Sequence, residues 1–113
     1  MNEEKRKHPR FYVSQLVNIE FGKETFIDAQ GLNISHGGIY CRTNALIEPL
    51  TRVFIMLDLN FDGKVLTIRT EGVVVHSAMN NNQCFTGIEF MPLCNEDENV
   101  LKDYINFLSE MII

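Results

Sequence analysis

The stretch Phe11-Tyr12-Val13-Ser14-Gln15-Leu16-Val17-Asn18-Ile19-Glu20-Phe21, continued after Gly22-Lys23-Glu24 by Thr25-Phe26-Ile27-Asp28-Ala29-Gln30-Gly31-Leu32-Asn33-Ile34, decides the fold class. In its first half Phe11, Val13, Val17, Ile19 and Phe21 share one parity, and Gln15 is the one break in the set. Aromatic and β-branched side chains at every second position mark a strand with one buried face. Gly22-Lys23-Glu24 reads as a turn, and Thr25 to Ile34 as a second strand in which Gly31 marks a bulge.

The same grammar repeats along the chain. Ser35-His36-Gly37-Gly38 is a tight loop, and Ile39 to Thr43 is a short strand leaving it. Asn44 to Thr51, which contains Pro49, is a connection. Val53 to Leu59 reads as a strand, and Asn60-Phe61-Asp62-Gly63 as a turn. Val65 to Ser77, dense in β-branched residues, is the longest strand, with a bend expected at Gly72. Asn80-Asn81-Asn82 is a polar turn, and Cys84 to Phe90 a returning strand. Six or more short strands joined by turns imply a closed barrel or a sandwich.

At Asn95 the period changes. Asn95 with Glu98 three residues on, and acidic residues between, matches a helix start. Val100, Leu101, Tyr104, Ile105, Leu108, Met111 and Ile112 then fall on one helical stripe, which packs against the strands or plugs the barrel mouth. The organisation is one domain: a flexible basic arm over residues 1–10, a barrel over 11–94 and an amphipathic helix over 95–113. A chain of 113 residues is the size of one ordinary domain.

Charge and composition exclude several functions. The net charge is −5. Lys5, Arg6, Lys7 and Arg10 against Glu3 and Glu4 leave the first ten residues at +2, so the remainder carries −7. An acidic body with a short basic arm suits a small anion better than a nucleic acid or an anionic membrane. No apolar run approaches the ~20 residues that cross a bilayer, and the charged N-terminus lacks the apolar segment of a signal peptide. The three cysteines, Cys41, Cys84 and Cys94, form no C-x-x-C pair, which fits a reduced cytoplasm. His8, His36 and His76 stand at no zinc-like spacing, so no metal is expected. Ser35 and His36 are adjacent, a poor arrangement for nucleophile and base, and neither a phosphate loop nor a dinucleotide fingerprint occurs. The chain does not read as an enzyme.

Two short segments carry the chemistry. Arg6-Lys7-His8-Pro9-Arg10 sets two arginines four residues apart beside the first strand. Their planar forks match phosphate oxygens and the O6/N7 edge of guanine; taken alone, the segment reads as a solvated basic tail. In Asn33-Ile34-Ser35-His36-Gly37-Gly38, Asn33 and Ser35 at a spacing of two are expected on one face. The glycines admit close backbone approach or positive φ; alone, this is also an ordinary polar turn.

Together the segments resemble the PilZ family, whose signature is R-x-x-x-R on an N-terminal arm followed by [DN]-x-S-x-x-G. Arg6 and Arg10 fill the first motif, and Asn33, Ser35 and Gly38 the second. Phe85-Thr86-Gly87-Ile88-Glu89-Phe90 is similar to the family's late G-[VI]-x-F strand. The resemblance implies a mainly β fold, a six-stranded antiparallel PilZ-type β-barrel with a C-terminal α-helix. It also implies a receptor for cyclic di-GMP, with Arg6 and Arg10 clasping guanines and phosphates above a floor of Asn33, Ser35 and Gly38. Lys5, His36, Gly37 and His76 are secondary candidates for ligand contact, His76 as a stacking surface or a solvated strand residue. Lys5 stands where a third arginine is common, and Asn33 where Asp is commoner, which bears on stoichiometry and affinity.

The ligand, rather than a cofactor, would be the only small molecule bound. The implied output is a changed surface for a downstream protein in bacterial motility, biofilm or exopolysaccharide control, from a cytoplasmic monomer or weak dimer without membrane insertion or nucleic-acid binding. The competing reading is an adaptor of the same fold that binds no nucleotide and acts only through protein contacts.

Overall fold

The computed structural model describes residues 11–21, 25–61 and 63–111. Their strands are β1 (Phe11–Phe21), β2 (Thr25–Ile34), β3 (Gly38–Thr43), β4 (Arg52–Phe61), β5 (Lys64–Asn80) and β6 (Gln83–Phe90), followed by the helix α1 (Asn95–Met111). The strands close into a barrel in the order β1-β2-β3-β6-β5-β4, through antiparallel pairings. Closure removes the open edges that a six-stranded sheet would otherwise expose.

Alternation explains which side chains fill the barrel. Val17 and Ile19 of β1, Ile39 and Cys41 of β3, Val53, Ile55, Leu57 and Leu59 of β4, and Ile88 of β6 are buried at every second position of their strands. Leu101, Tyr104 and Ile105 of α1 join the same core, with Val100 and Leu108 packed against it. The i, i+3, i+4 spacing of Leu101, Tyr104 and Ile105 gives the helix the apolar stripe that the barrel covers. Ile47, in the connection between β3 and β4, is buried as well.

The turns follow their residues. Asn81 and Asn82 have φ of 53° and 64°, the left-handed pair that a two-residue hairpin requires and that Asn tolerates. β5 is shared lengthwise: it pairs with β4 from Lys64 to Val73 and with β6 from Gly72 to Asn80. The change of partner falls at Gly72, where a bend was expected, but the irregularity in the ladder lies just beyond, between Val74 and His76. The break at Gln15 in the β1 pattern coincides with a register shift between Tyr12 and Gln15. The helix begins at Asn95, where the sequence reading has it, with the capping carbonyl one residue earlier. The Glu98 amide donates to the Cys94 carbonyl at 2.9 Å, so Cys94 rather than Asn95 takes the first helical bond. The turn read at Gly22-Lys23-Glu24 lies outside the described residues, as do residues 1–10 of the expected arm and the last stripe residue Ile112.

Burial also sets one pH dependence. Cys41 is enclosed by the core, and desolvation pushes its thiol from an ordinary 9.0 up to about 12. In the unfolded chain the thiol ionises near its ordinary value, while the folded protein keeps its proton. Stability contributed by the neutral thiol is therefore complete below pH 9 and falls as pH rises from 9 towards 12, at a slope approaching ~1.4 kcal/mol per pH unit. Burial raises the Tyr104 phenol from its usual 10.0 and acts in the same direction. Urea unfolding at pH 8 and pH 10.5 is expected to show the loss, and Cys41→Ala to lessen the slope. An unchanged slope in the variant would assign the alkaline loss elsewhere.

Candidate functional site

The second motif folds as the hairpin joining β2 to β3. The Ser35 amide donates to the Gly38 carbonyl at 2.9 Å, closing a two-residue loop of His36 and Gly37. The Ser35 hydroxyl accepts from the Gly37 amide at 3.2 Å. Ser35 is 7% exposed, so its side chain holds the loop in shape from within. β2 ends at Ile34, so the alternation that was expected to put Asn33 and Ser35 on one face stops one residue short of Ser35. Gly37 is fixed from the other side, its carbonyl accepting from the Phe90 amide at 2.9 Å. His36 is exposed at the tip.

Gly38 has a packing reason to be glycine. A Cβ there would stand 2.3 Å from the Ile88 carbonyl oxygen. Of the two freedoms that the sequence offered for this glycine, close approach is the one used, and the approach is to β6. Among the described residues Gly63 is the glycine with positive φ.

Two bulges then aim side chains at the outer face of the barrel. In β2, Gly31 and Ile34 are both buried although an odd step separates them, because Leu32 is an extra residue between the pairs Gly31·Cys41 and Asn33·Tyr40. Strict alternation would send Asn33 inward; the bulge turns it out beside Tyr40. In β5, Val75 is the extra residue between Val74·Ile88 and His76·Gly87. It turns His76 outward, and the Ser77 hydroxyl becomes buried.

The consequence is a single cross-strand row, Asn33, Tyr40, Gly87, His76, running over β2, β3, β6 and β5. A parallel row carries Gln30, Arg42, Phe85 and Ala78. With strands ~4.8 Å apart, each row spans roughly 14 Å. Tyr40 lies in the middle of the face. Its ring centroid is 6.1 Å from that of Phe85 with the planes 7° apart, and 6.1 Å from His76 at 37°. The Arg42 guanidinium donates to the Gln30 side-chain carbonyl. Below this face, the Thr43 hydroxyl donates to the Ala45 carbonyl at 2.8 Å, so Thr86 is the donor in its 3.2 Å contact with Thr43.

The start of the first strand meets the same hairpin. Phe11 pairs with Ile34, and Tyr12 with Asn33. Arg6, Arg10 and Lys5 of the first motif lie outside the described residues, but Arg10 is covalently next to Phe11, and so one residue from the Ile34 pair. A cavity of about 870 Å³ sits elsewhere, lined in part by Asn18, Phe54, Arg69, Leu93 and Asp97, and shares no residue with the hairpin. Among the described residues, no group of three or more His, Cys, Asp or Glu could hold a metal ion. No described helix is long and apolar enough to cross a membrane.

The family model for the PilZ domain matches residues 4–107. The chain belongs to the PilZ domain family. A search of curated proteins finds no match. Among solved structures, this PilZ domain is similar to the Bacillus subtilis inhibitor of motility MotI (DgrA), with a TM-score of 0.77 and 20% identity over 96% of this chain and 50% of that one. It is similar to the PilZ domain of Escherichia coli YcgR with c-di-GMP, with a TM-score of 0.74 and 10% identity over 96% of this chain and 94% of that one. The longer YcgR chain in complex with c-di-GMP gives a TM-score of 0.78 at 13% identity, over 96% of this chain and 47% of that one. This PilZ domain thus spans about half the length of MotI and of the longer YcgR chain.

The sequence singled out Asn33, Ser35, His36, Gly37, Gly38 and His76, and the fold brings His76 onto the face that Asn33 occupies. It did not single out Tyr40, Arg42 or Phe85. Period two within Gly38–Thr43 would have found Tyr40 and Arg42, which alternate with the buried Ile39 and Cys41. Nothing local marks Phe85, because an aromatic in a strand reads as core.

Proposed function

We propose that this PilZ domain is a receptor for cyclic di-GMP, held between Arg6 and Arg10 of the arm and the Asn33–Gly38 hairpin. One observation carries the reading: Phe11, the residue after Arg10 in sequence, pairs with Ile34, the residue before the Ser35–Gly38 loop. On this reading, two motifs more than twenty residues apart in sequence act at one site. The c-di-GMP complexes of the YcgR domain and chain support the ligand class.

The mechanism follows from the residue chemistry. The two arginines supply fixed positive charge and paired donors for phosphate oxygens or a guanine edge. Asn33 offers an amide, which can both donate to and accept from a base edge. Lys5, His36 and Gly37 border the ligand at the arm and loop tip, and His76 closes the far end of the row. Fixing five arm residues costs roughly 5–10 kcal/mol at about 1–2 each. Four charge-assisted hydrogen bonds at roughly 1.5–3 kcal/mol each offset about 6–12. These nearly balance, so arm closure depends on the ligand and acts as a switch. The closed arm would then present a new surface to a downstream protein in the cytoplasm, with motility a candidate process given the likeness to a motility inhibitor.

Titration calorimetry tests the reading. Cyclic di-GMP is expected to bind saturably, and the linear dinucleotide pGpG and GTP far more weakly. A flat titration with a folded protein would leave the nucleotide-free adaptor as the account of this chain.

A further inference from the structure

The centre of the outer face carries an arrangement that the two motifs do not use. Tyr40 stands between Asn33 on one neighbouring strand and Gly87 on the other. Position 87 has no side chain, and a Cβ built there would lie 3.6 Å from the Tyr40 ring and 3.2 Å from the His76 Cβ. The position without a side chain leaves room for the phenol ring beside Gly87, as strand glycines do for cross-strand aromatics. The Phe85 ring lies parallel to it, with planes 7° apart and centroids 6.1 Å apart, and the His76 ring is tilted by 37° at the same centroid distance. Tyr40 and Phe85 are half-buried and outward, among neighbours that keep to the same face. Arg42, two residues along β3 from Tyr40, adds a guanidinium at the rim, oriented by Gln30.

We infer that Tyr40 is the floor on which a purine of the ligand stacks, with its edge directed at Asn33 and a phosphate or second purine edge at Arg42. The inference rests on the receptor reading above and adds to it the residue that holds the base by its face. A flat purine laid on Tyr40 places its rim one strand spacing, ~4.8 Å, from the Asn33 backbone, within reach of the amide side chain. Stacking supplies affinity without telling guanine from adenine, because every purine has a π face. Asn33 then supplies the discrimination by hydrogen bonding. The two bulges acquire a purpose on this reading, since without them neither Asn33 nor His76 would flank Tyr40.

The experiment uses the absence of tryptophan from this chain. Tyr40→Trp introduces a single indole at the floor, whose fluorescence is expected to be quenched saturably by cyclic di-GMP, with the midpoint matching calorimetry. Tyr40→Leu keeps an apolar cover over Gly87 but has no ring, and is expected to melt near the parent protein while binding roughly 5- to 150-fold more weakly, the range for loss of one stacked base. Tyr40→Phe is expected to retain the parent affinity.

Parent-like binding by Tyr40→Leu, with the parent protein binding normally, would overturn the stacking floor and leave the receptor reading intact. Equal losses in Tyr40→Leu and Tyr40→Phe would also overturn it, by pointing to the hydroxyl rather than the ring. Failure of the parent protein itself to bind would remove both.

Discussion

Alanine at Gly38 will lower the stability of the fold by about 2–3 kcal/mol, the cost of overpacking a site that cannot relax cheaply. The added methyl falls 2.3 Å from the Ile88 carbonyl oxygen and 3.2 Å from its carbon, with the Glu89 Cα at 3.3 Å. All three are backbone atoms, so no side chain can rotate away. Relief requires β3 and β6 to separate where Gly38 pairs with Glu89, loosening the Gly37–Phe90 bond that anchors the loop. In a domain of this size the change corresponds to a drop in Tm of roughly 10 °C. On the receptor reading the variant will also bind cyclic di-GMP more weakly, because the hairpin it distorts is part of the proposed site. The two effects are separable by measuring binding well below the lowered Tm. A variant that melts with the parent protein but loses ligand would show that Gly38 serves the ligand alone, against the geometry.

Replacing Arg10 with alanine will weaken cyclic di-GMP by at least about a hundredfold. A guanidinium engaged through its fork makes two charge-assisted hydrogen bonds, each worth roughly 1.5–3 kcal/mol. Losing both amounts to about 3–6 kcal/mol, or roughly 10²–10⁴ in Kd. Arg10 directly precedes Phe11, which pairs with Ile34 beside the hairpin, so on the receptor reading its removal takes away the clamp residue adjacent in sequence to that pair. Arg10→Lys separates charge from shape: an ammonium keeps the attraction but not the planar pair of donors, and will recover only part of the loss. Arg6→Ala, four residues earlier in the same motif, will weaken binding in the same sense. Calorimetry on the three variants decides the matter, and a parent-like Kd for Arg10→Ala would remove the arm from the site.

These outcomes weigh the two motif segments differently, and the difference tracks what was legible in the sequence. Strand positions were readable because burial imposes a period of two, as at Val17 and Ile19 or Ile39 and Cys41. The helix was readable because Leu101, Tyr104 and Ile105 repeat at a helical spacing. The Asn81-Asn82 hairpin was readable because few residues tolerate positive φ. The pairing of β3 with β6 was not, since it joins residues 41 to 51 positions apart and no local pattern encodes it.

The bulges at Leu32 and Val75 were harder still. An extra residue in one strand is defined against its partner, and neither Leu nor Val announces it. Gly31 flagged the first bulge; nothing flagged the second, which sets the row that His76 joins. Gly38 illustrates the opposite error of emphasis. Its place in a ligand motif drew attention to the ligand, while the atom it must avoid belongs to Ile88. Arg6 and Arg10, the residues most legible as chemistry, are the ones whose placement the described structure does not include.

The measurement that bears most directly on the receptor reading is thermal unfolding of the protein with and without cyclic di-GMP, with GTP as control. A ligand that binds the native state alone stabilises it by RT ln(1 + [L]/Kd), about 2.7 kcal/mol at a hundredfold excess over Kd. For this domain that is a rise in Tm of roughly 10 °C, specific to cyclic di-GMP and saturating with concentration. A cooperative transition that stays in place at millimolar cyclic di-GMP would contradict the reading.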